Sequence, residues 1–134
     1  MFCGENVRAA YTMDMADELK VQVLLSFGKG TIPRQKFDSG LVSVTVAGSN
    51  YHRTVQAVGT SIEALSLGDV ATPGYCMLHN LDATNFVLVY PNNTDAAVIK
   101  LKAGEWALFR FAASAPYIKA DTGACNVEVF LIPN

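Results

Sequence analysis

The sequence predicts an all-β fold: an antiparallel, jelly-roll-like β-sandwich of about eight short strands, with an extended N-terminal arm. Three observations predict it. Apolar and polar residues alternate with a period of two in run after run, and valine, isoleucine and threonine are frequent in those runs. Turn-forming clusters recur every 8–12 residues or so. At most one helical turn can be placed anywhere in the 134 residues. About eight strands in about 115 residues suit a jelly roll, in which two Greek keys fold into a double sheet.

Residues 1–19 read as the arm and residues 20–134 as the sandwich. The arm lacks the period-2 pattern, holds three of the four methionines and carries the whole net charge of −2 within the first twenty residues. It has two readings: a terminus that frays, or a segment that orders on a neighbouring subunit. Met15, followed by Ala-Asp-Glu-Leu, would serve as a start of translation, with the first 14 residues as an extension.

The first strand alternates as Val21, Val23, Leu25 and Phe27 and stops at Gly28-Lys29-Gly30. A second runs from Leu41 to Val46 and a third from Arg53 to Val58. Successive side chains on a strand point to opposite faces, so one face can be core and the other solvent or partner. Thr60-Ser61-Ile62-Glu63 has the form of a capping box and would start a helical turn; Ile62, Leu65 and the Ser-Leu-Gly after it fit a short edge strand equally well. Thr72-Pro73-Gly74 is a turn. Strands follow at Tyr75–Asn80, Phe86–Tyr90 and Ala97–Lys102, separated by Leu81–Asn85 and by the loop tip Pro91–Asp95. The strand from Glu105 to Ala112 is apolar on both sides, with Trp106 and Leu108 on one and Phe109 and Phe111 on the other. It is therefore central, or lies between the core and a subunit contact. Tyr117–Lys119 and Asn126–Ile132 complete the set.

Composition bounds the function. Apolar residues make up 51% and charged residues 16% of the chain, against a usual charged share of about 25%. A 14.4 kDa monomer would expose roughly 6,800 Å², with few charges to cover it, which points to surface buried against other subunits. No basic stripe follows a phosphate backbone, so nucleic acid is not expected as a partner. No apolar run approaches the ~20 residues of a membrane helix, and the start lacks the apolar core of a secretory signal, so no membrane is expected either. Cys3, Cys76 and Cys125 are an odd number, widely spaced, and give neither a disulfide framework nor a zinc site. Cys76 and Cys125 read as reduced core residues of a protein made in a reducing cytoplasm.

No catalytic constellation emerges. His52 and His79 are the only histidines, and the His-x-His of a metal-binding jelly roll is missing, so no metal and no cofactor is expected. His79 is expected to bond backbone at a strand end. Cys76 lies three residues before His79, which on a strand puts the two on opposite faces. Asp82, Asp95, Glu105 and Asp121 read as turn residues. Asn92-Asn93-Thr94 matches a glycosylation sequon without a secretory signal to support it. Tyr51, Tyr90, Trp106, Phe109, Phe111 and Tyr117 either line a sugar-binding groove or serve as core and subunit contacts, and packing is the reading favoured.

Asn80-Leu81-Asp82-x-Thr84-Asn85, Phe86-Val87-Leu88-Val89 and Leu101-Lys102-x-Gly104-Glu105-x-Ala107 form a set. With Gly59-Thr60, Glu63–Asp69, Pro73-Gly74 and Ala124-x-x-Val127-Glu128-Val129, it resembles small β-sandwich structural proteins of tailed bacteriophages across residues 20–134. Such proteins include capsid cement or decoration proteins and tail or fibre modules. The resemblance implies a non-enzymatic virion protein at the capsid surface, with the major capsid protein and further copies of itself, as a trimer, for partners. Physically, Asn80 and Asp82 would bond local backbone in a turn, and Lys102–Glu105 would turn a hairpin. Phe2, Tyr11, Phe109 and Phe111 are the expected partner contacts, the first two on the arm and the others on an exposed strand face. The rival expectations are a tail or fibre module that binds host glycan, and a small cupin-like enzyme, which would need a metal.

Overall fold

A computed structural model of the chain describes residues 18–134. The described residues contain twelve strands and no helix, hence no helix long and apolar enough to cross a membrane. The chain divides into two compact units, with the boundary between Val46 and Ala47. Residues 20–46, expected inside the sandwich, thus belong to a unit of their own.

In the first unit β1 (Leu19–Val21) pairs antiparallel with β4 (Val42–Val44). Between them β2 (Leu24–Lys29) and β3 (Ile32–Asp38) form a hairpin closed by Gly30-Thr31. Gly30 takes a positive φ of 57°, as the first central residue of a two-residue hairpin loop must. The first strand expected from alternation is thus two strands, β1 and β2. β3 was not expected, because Ile32-Pro33-Arg34-Gln35-Lys36-Phe37-Asp38 lacks a clean apolar stripe. Every residue of β2 and β3 is exposed.

The second unit is the sandwich. Its strands are β5 (His52–Val58), β6 (Glu63–Ala64), β7 (Pro73–Asn80), β8 (Val87–Tyr90), β9 (Ile99–Leu101), β10 (Trp106–Arg110), β11 (Tyr117–Ala120) and β12 (Cys125–Pro133). One sheet has the order β10-β7-β12-β5 and the other β6-β11-β8-β9, with every neighbour antiparallel. The chain crosses from sheet to sheet at every connection except β8–β9. That is jelly-roll topology.

The open choice at residues 60–65 resolves to strand. Glu63 lies in β6, and its carboxylate accepts the Gly59 N–H at 3.2 Å and the Gln56 amide at 3.0 Å. The strand at Trp106–Arg110 is not central: it is an edge strand bonded only to β7. Lys102–Glu105 is a tight turn, with Glu105 N–H donating to the Lys102 carbonyl at 3.0 Å. It is not a hairpin, however, since β9 and β10 belong to different sheets.

Period-2 burial carries the core. β7 and β12 alternate between buried and half-buried residues along their length. Cys76, Leu78, Val127, Val129 and Leu131 from the first sheet meet Val87, Val89, Ile118 and Ala120 from the second, all at most 1% exposed. Each large aliphatic side chain so buried contributes about 1.5–3 kcal/mol. Leu65 and Val70 close the end between β6 and β7.

One buried group is polar. Asn80 is fully buried. Its Nδ2 donates to the carbonyls of Asn85 (2.9 Å), Leu101 (3.2 Å) and Lys102 (3.2 Å), while its Oδ1 accepts the Asp82 N–H (3.0 Å). Both backbone groups of Asn80 bond the turn before β10. The side chain therefore ties the end of β7 to the start of β8 and to the turn after β9. A buried polar group is tolerated only when satisfied in this way.

Candidate functional site

The outward face of the β10-β7-β12-β5 sheet is the main candidate. Strand alternation turns Ala107 and Phe109 of β10 toward the core and leaves Trp106, Leu108 and Arg110 outside. The register then builds rows across four strands. Trp106 stands opposite His79, His79 opposite Glu128, and Glu128 opposite Val55. The next row is Leu108, Met77, Phe130 and Arg53.

Within these rows the polar groups are already engaged. The His79 imidazole stacks on the Trp106 indole with ring centres 3.7 Å apart and planes inclined by 12°. Arg53 donates to Glu128 Oε2 through Nη2 at 3.0 Å and Nε at 3.2 Å, and its guanidinium lies 5.5 Å from the Phe130 ring centre. The Arg110 guanidinium lies 4.7 Å over Tyr75. Arg53 is mostly exposed, so its ion pair is worth at most about 1 kcal/mol. The pairing fixes side chains more than it stabilises the fold. Much of what the face offers a partner is therefore apolar: Trp106 is 59% exposed, Val55 54% and Leu108 43%.

Phe109 and Phe111 occupy another place. The sequence expects them on an exposed face; the structure half-buries them against the core, because they share the inward parity of Ala107. Their rings meet edge to face with centres 4.7 Å apart. They line an apolar cleft of about 250 Å³, together with Val89, Tyr90 and Ile99, at the edge where β10 of one sheet faces β8 and β9 of the other. Phe2 and Tyr11 lie outside the described residues. The outward set, Trp106, Leu108, Met77, Phe130 and Val55, was not singled out as a contact surface from sequence. Its signal was the parity of Trp106 and Leu108, which needed the register of β7 and β12 to become a surface.

The groups that could do chemistry are dispersed. His52 Nε2 and Ser66 Oγ are 2.9 Å apart. His79, expected to bond backbone, instead stacks on Trp106, with its Nδ1 3.9 Å from Glu128 Oε1. Burial pushes the Cys76 thiol up to about 12. Cys125 is also raised, by burial first and then by the charges of Asp82 and Asp121. Both thiols are free and buried, and a protonated buried thiol is a poor nucleophile. Asp82 caps its own turn, accepting from Thr84 N–H at 3.0 Å and Asn85 N–H at 2.6 Å. Asn92 does the same for Thr94 and Asp95. Glu105 accepts the Lys102 N–H at 2.7 Å. Among the described residues no group of three His, Cys, Asp or Glu side chains is placed to hold a metal ion.

The six aromatic residues do not gather in one groove. Tyr51 approaches Phe130 with ring centres 6.0 Å apart, Trp106 stacks on His79, Tyr90 lines the cleft with Phe109 and Phe111, and Tyr117 pairs with Tyr90 in the second sheet. No protein-family model, curated protein or solved structure matches the chain.

Proposed function

We propose that the chain is a non-enzymatic structural protein of a bacteriophage virion, a capsid cement protein that binds the head shell as a homo-oligomer and stabilises it. The observation that supports this reading best is the outward sheet face. It presents bare apolar side chains while Arg53 and Glu128 pair with each other and Arg110 lies over Tyr75, the profile of a surface meant to be covered by protein. The exposed apolar hairpin in the first unit adds a second such surface. The jelly-roll topology suits the reading, since that fold recurs in viral shells. Closed rings such as trimers satisfy their own contacts and leave one face for the shell.

The test is co-sedimentation of purified protein with emptied heads of the phage that encodes it. Saturable binding at a fixed ratio to the major capsid protein is expected. Recovery with tails and not with heads would discard the shell-strengthening role. It would favour a tail or fibre module that binds host glycan, for which the half-exposed indole of Trp106 offers a flat stacking surface.

A further inference from the structure

Strand β10 leaves one side of the first sheet open. Among the described residues it is bonded to β7 alone. Asn80 N–H donates to the Glu105 carbonyl at 3.0 Å, and Phe111 N–H donates to the Gly74 carbonyl at 2.9 Å. Bonded and non-bonded pairs alternate along an antiparallel ladder, so the odd-numbered residues of β10 turn their backbone groups to β7. The N–H and C=O groups of Trp106, Leu108 and Arg110 then point away from the sheet. Sheet edges are normally blunted by shortness, lysine, proline or a bulge. β6 has two residues, and β9 has three with Lys100 in the middle. β5 is tied to the segment beside it: Gln56 Nε2 donates to the Ala64 carbonyl at 3.0 Å, and Gln56 Oε1 accepts the Ser66 N–H at 2.8 Å. β10, Trp-Ala-Leu-Phe-Arg, has none of these devices.

We infer that β10 pairs antiparallel with β10 of a second copy across a two-fold axis at Leu108, joining two four-stranded sheets into one. The strand's own sequence selects this occupant. With Leu108 at the centre, Trp106 falls opposite Arg110 of the second copy, Leu108 opposite Leu108, and Ala107 opposite Phe109. On the outward face, the Trp106 indole is stacked on His79 on one side. On its other side it would meet a guanidinium that lies over Tyr75 and donates to Asn134, a favourable cation–π contact. On the inward face each small side chain meets a large one. The two arginines stand at opposite ends of the paired strands. The free N–H and C=O groups of both edges are satisfied together by about six hydrogen bonds, because a two-fold axis makes one surface complementary to itself. So short an edge buries less than the ~800 Å² per partner of a standard interface, so the pair dissociates on dilution. The inference concerns how copies join and not what they bind, so it stands apart from the shell reading.

Sedimentation over a concentration series reads the pairing. The natural chain should pass from 14.4 kDa to twice that mass as concentration rises. Leu108→Lys should stay monomeric throughout, since it sets like charges opposite each other on the axis. Leu108 is 43% exposed, and circular dichroism checks that the variant is folded. Leu108→Cys, in a Cys3→Ser background, should cross-link to itself under mild oxidation far faster than Val55→Cys, which lies on the same face at the opposite edge. Hydrogen-bonded pairs hold their Cα atoms about 5.5 Å apart, within disulfide reach. A natural chain that is monomeric at every concentration overturns the inference and leaves the edge to a strand of another protein. A trimer overturns it, because a two-fold contact closes at two. A folded Leu108→Lys variant that still dimerises overturns it too, as does equal cross-linking at positions 108 and 55. Heads play no part in the measurement, so failure of the capsid reading would show separately.

Discussion

Asn80 shows how much one polar side chain can hold. Its amide serves three carbonyls from two turns, and its oxygen holds a fourth backbone group. Replacing it by alanine removes all four bonds from a buried site, at a cost of about 3 kcal/mol. Urea titration of Asn80→Ala should show this loss, whereas Asn93→Ala, exposed in the loop tip, should leave the midpoint unmoved. Asp82 makes a prediction in pH. Two backbone N–H groups, those of Asn85 and Thr84, hold its carboxyl below the usual carboxylate range. A group depressed on folding adds stability that is complete above its unfolded value of about 4, and that stability is lost as pH falls through the lower folded value. Asp82→Asn should therefore flatten the stability curve below about pH 4; parallel curves for the two proteins would contradict the assignment. Cys76 and Cys125 should react with a thiol reagent only after denaturation, because both are buried and burial keeps their thiols protonated.

The two faces of β10 and β7 separate stability from assembly at the level of the element. Leu78 is fully buried, and Leu78→Ala should cost about 3 kcal/mol. Trp106→Ser loses mainly the stack on His79, about 1 kcal/mol. If Trp106→Ser destabilised the isolated protein as much as Leu78→Ala, the outward face would be core and not a contact surface. The sequence made β12 legible because Val127, Val129 and Leu131 recur at every second position, and that alternation survives in its burial; β7 stood out between the turns at Thr72–Gly74 and Leu81–Asn85. The sequence missed β3, since a strand exposed on both sides has no reason to alternate. It left β6 open, because Thr60-x-x-Glu63 has the form of a capping box, whereas in the fold Glu63 lies in a strand and accepts from the Gly59 N–H, not from Thr60. β10 read as central, or as lying between the core and a subunit contact, because Trp106 and Leu108 are apolar, and apolar residues on an outward face mimic a second core. Asn80 read only as a turn residue; its burial depends on Leu101 and Lys102, which arrive from elsewhere in the chain.

For the whole molecule, protection should follow the architecture. The amides of β7 and β12, each bonded on both sides in mid-sheet, should exchange slowest with solvent. Those of β2–β3, exposed along their whole length, should exchange fastest among the strands; protection there equal to that of β7 would contradict the burial pattern. The placement of β12 has a further consequence, for the making of the protein. Among the described strands β12 alone bridges β5 and β7, and His52 precedes Cys125 by 73 positions. At ~5–20 residues per second, β5 leaves the ribosome roughly 4–15 s before its partner. Through that interval the nascent chain holds two strands with no neighbour to join them. Only the β7–β10 pair of that sheet can form in the meantime; the joining of β5 waits for the C-terminal strand to be made.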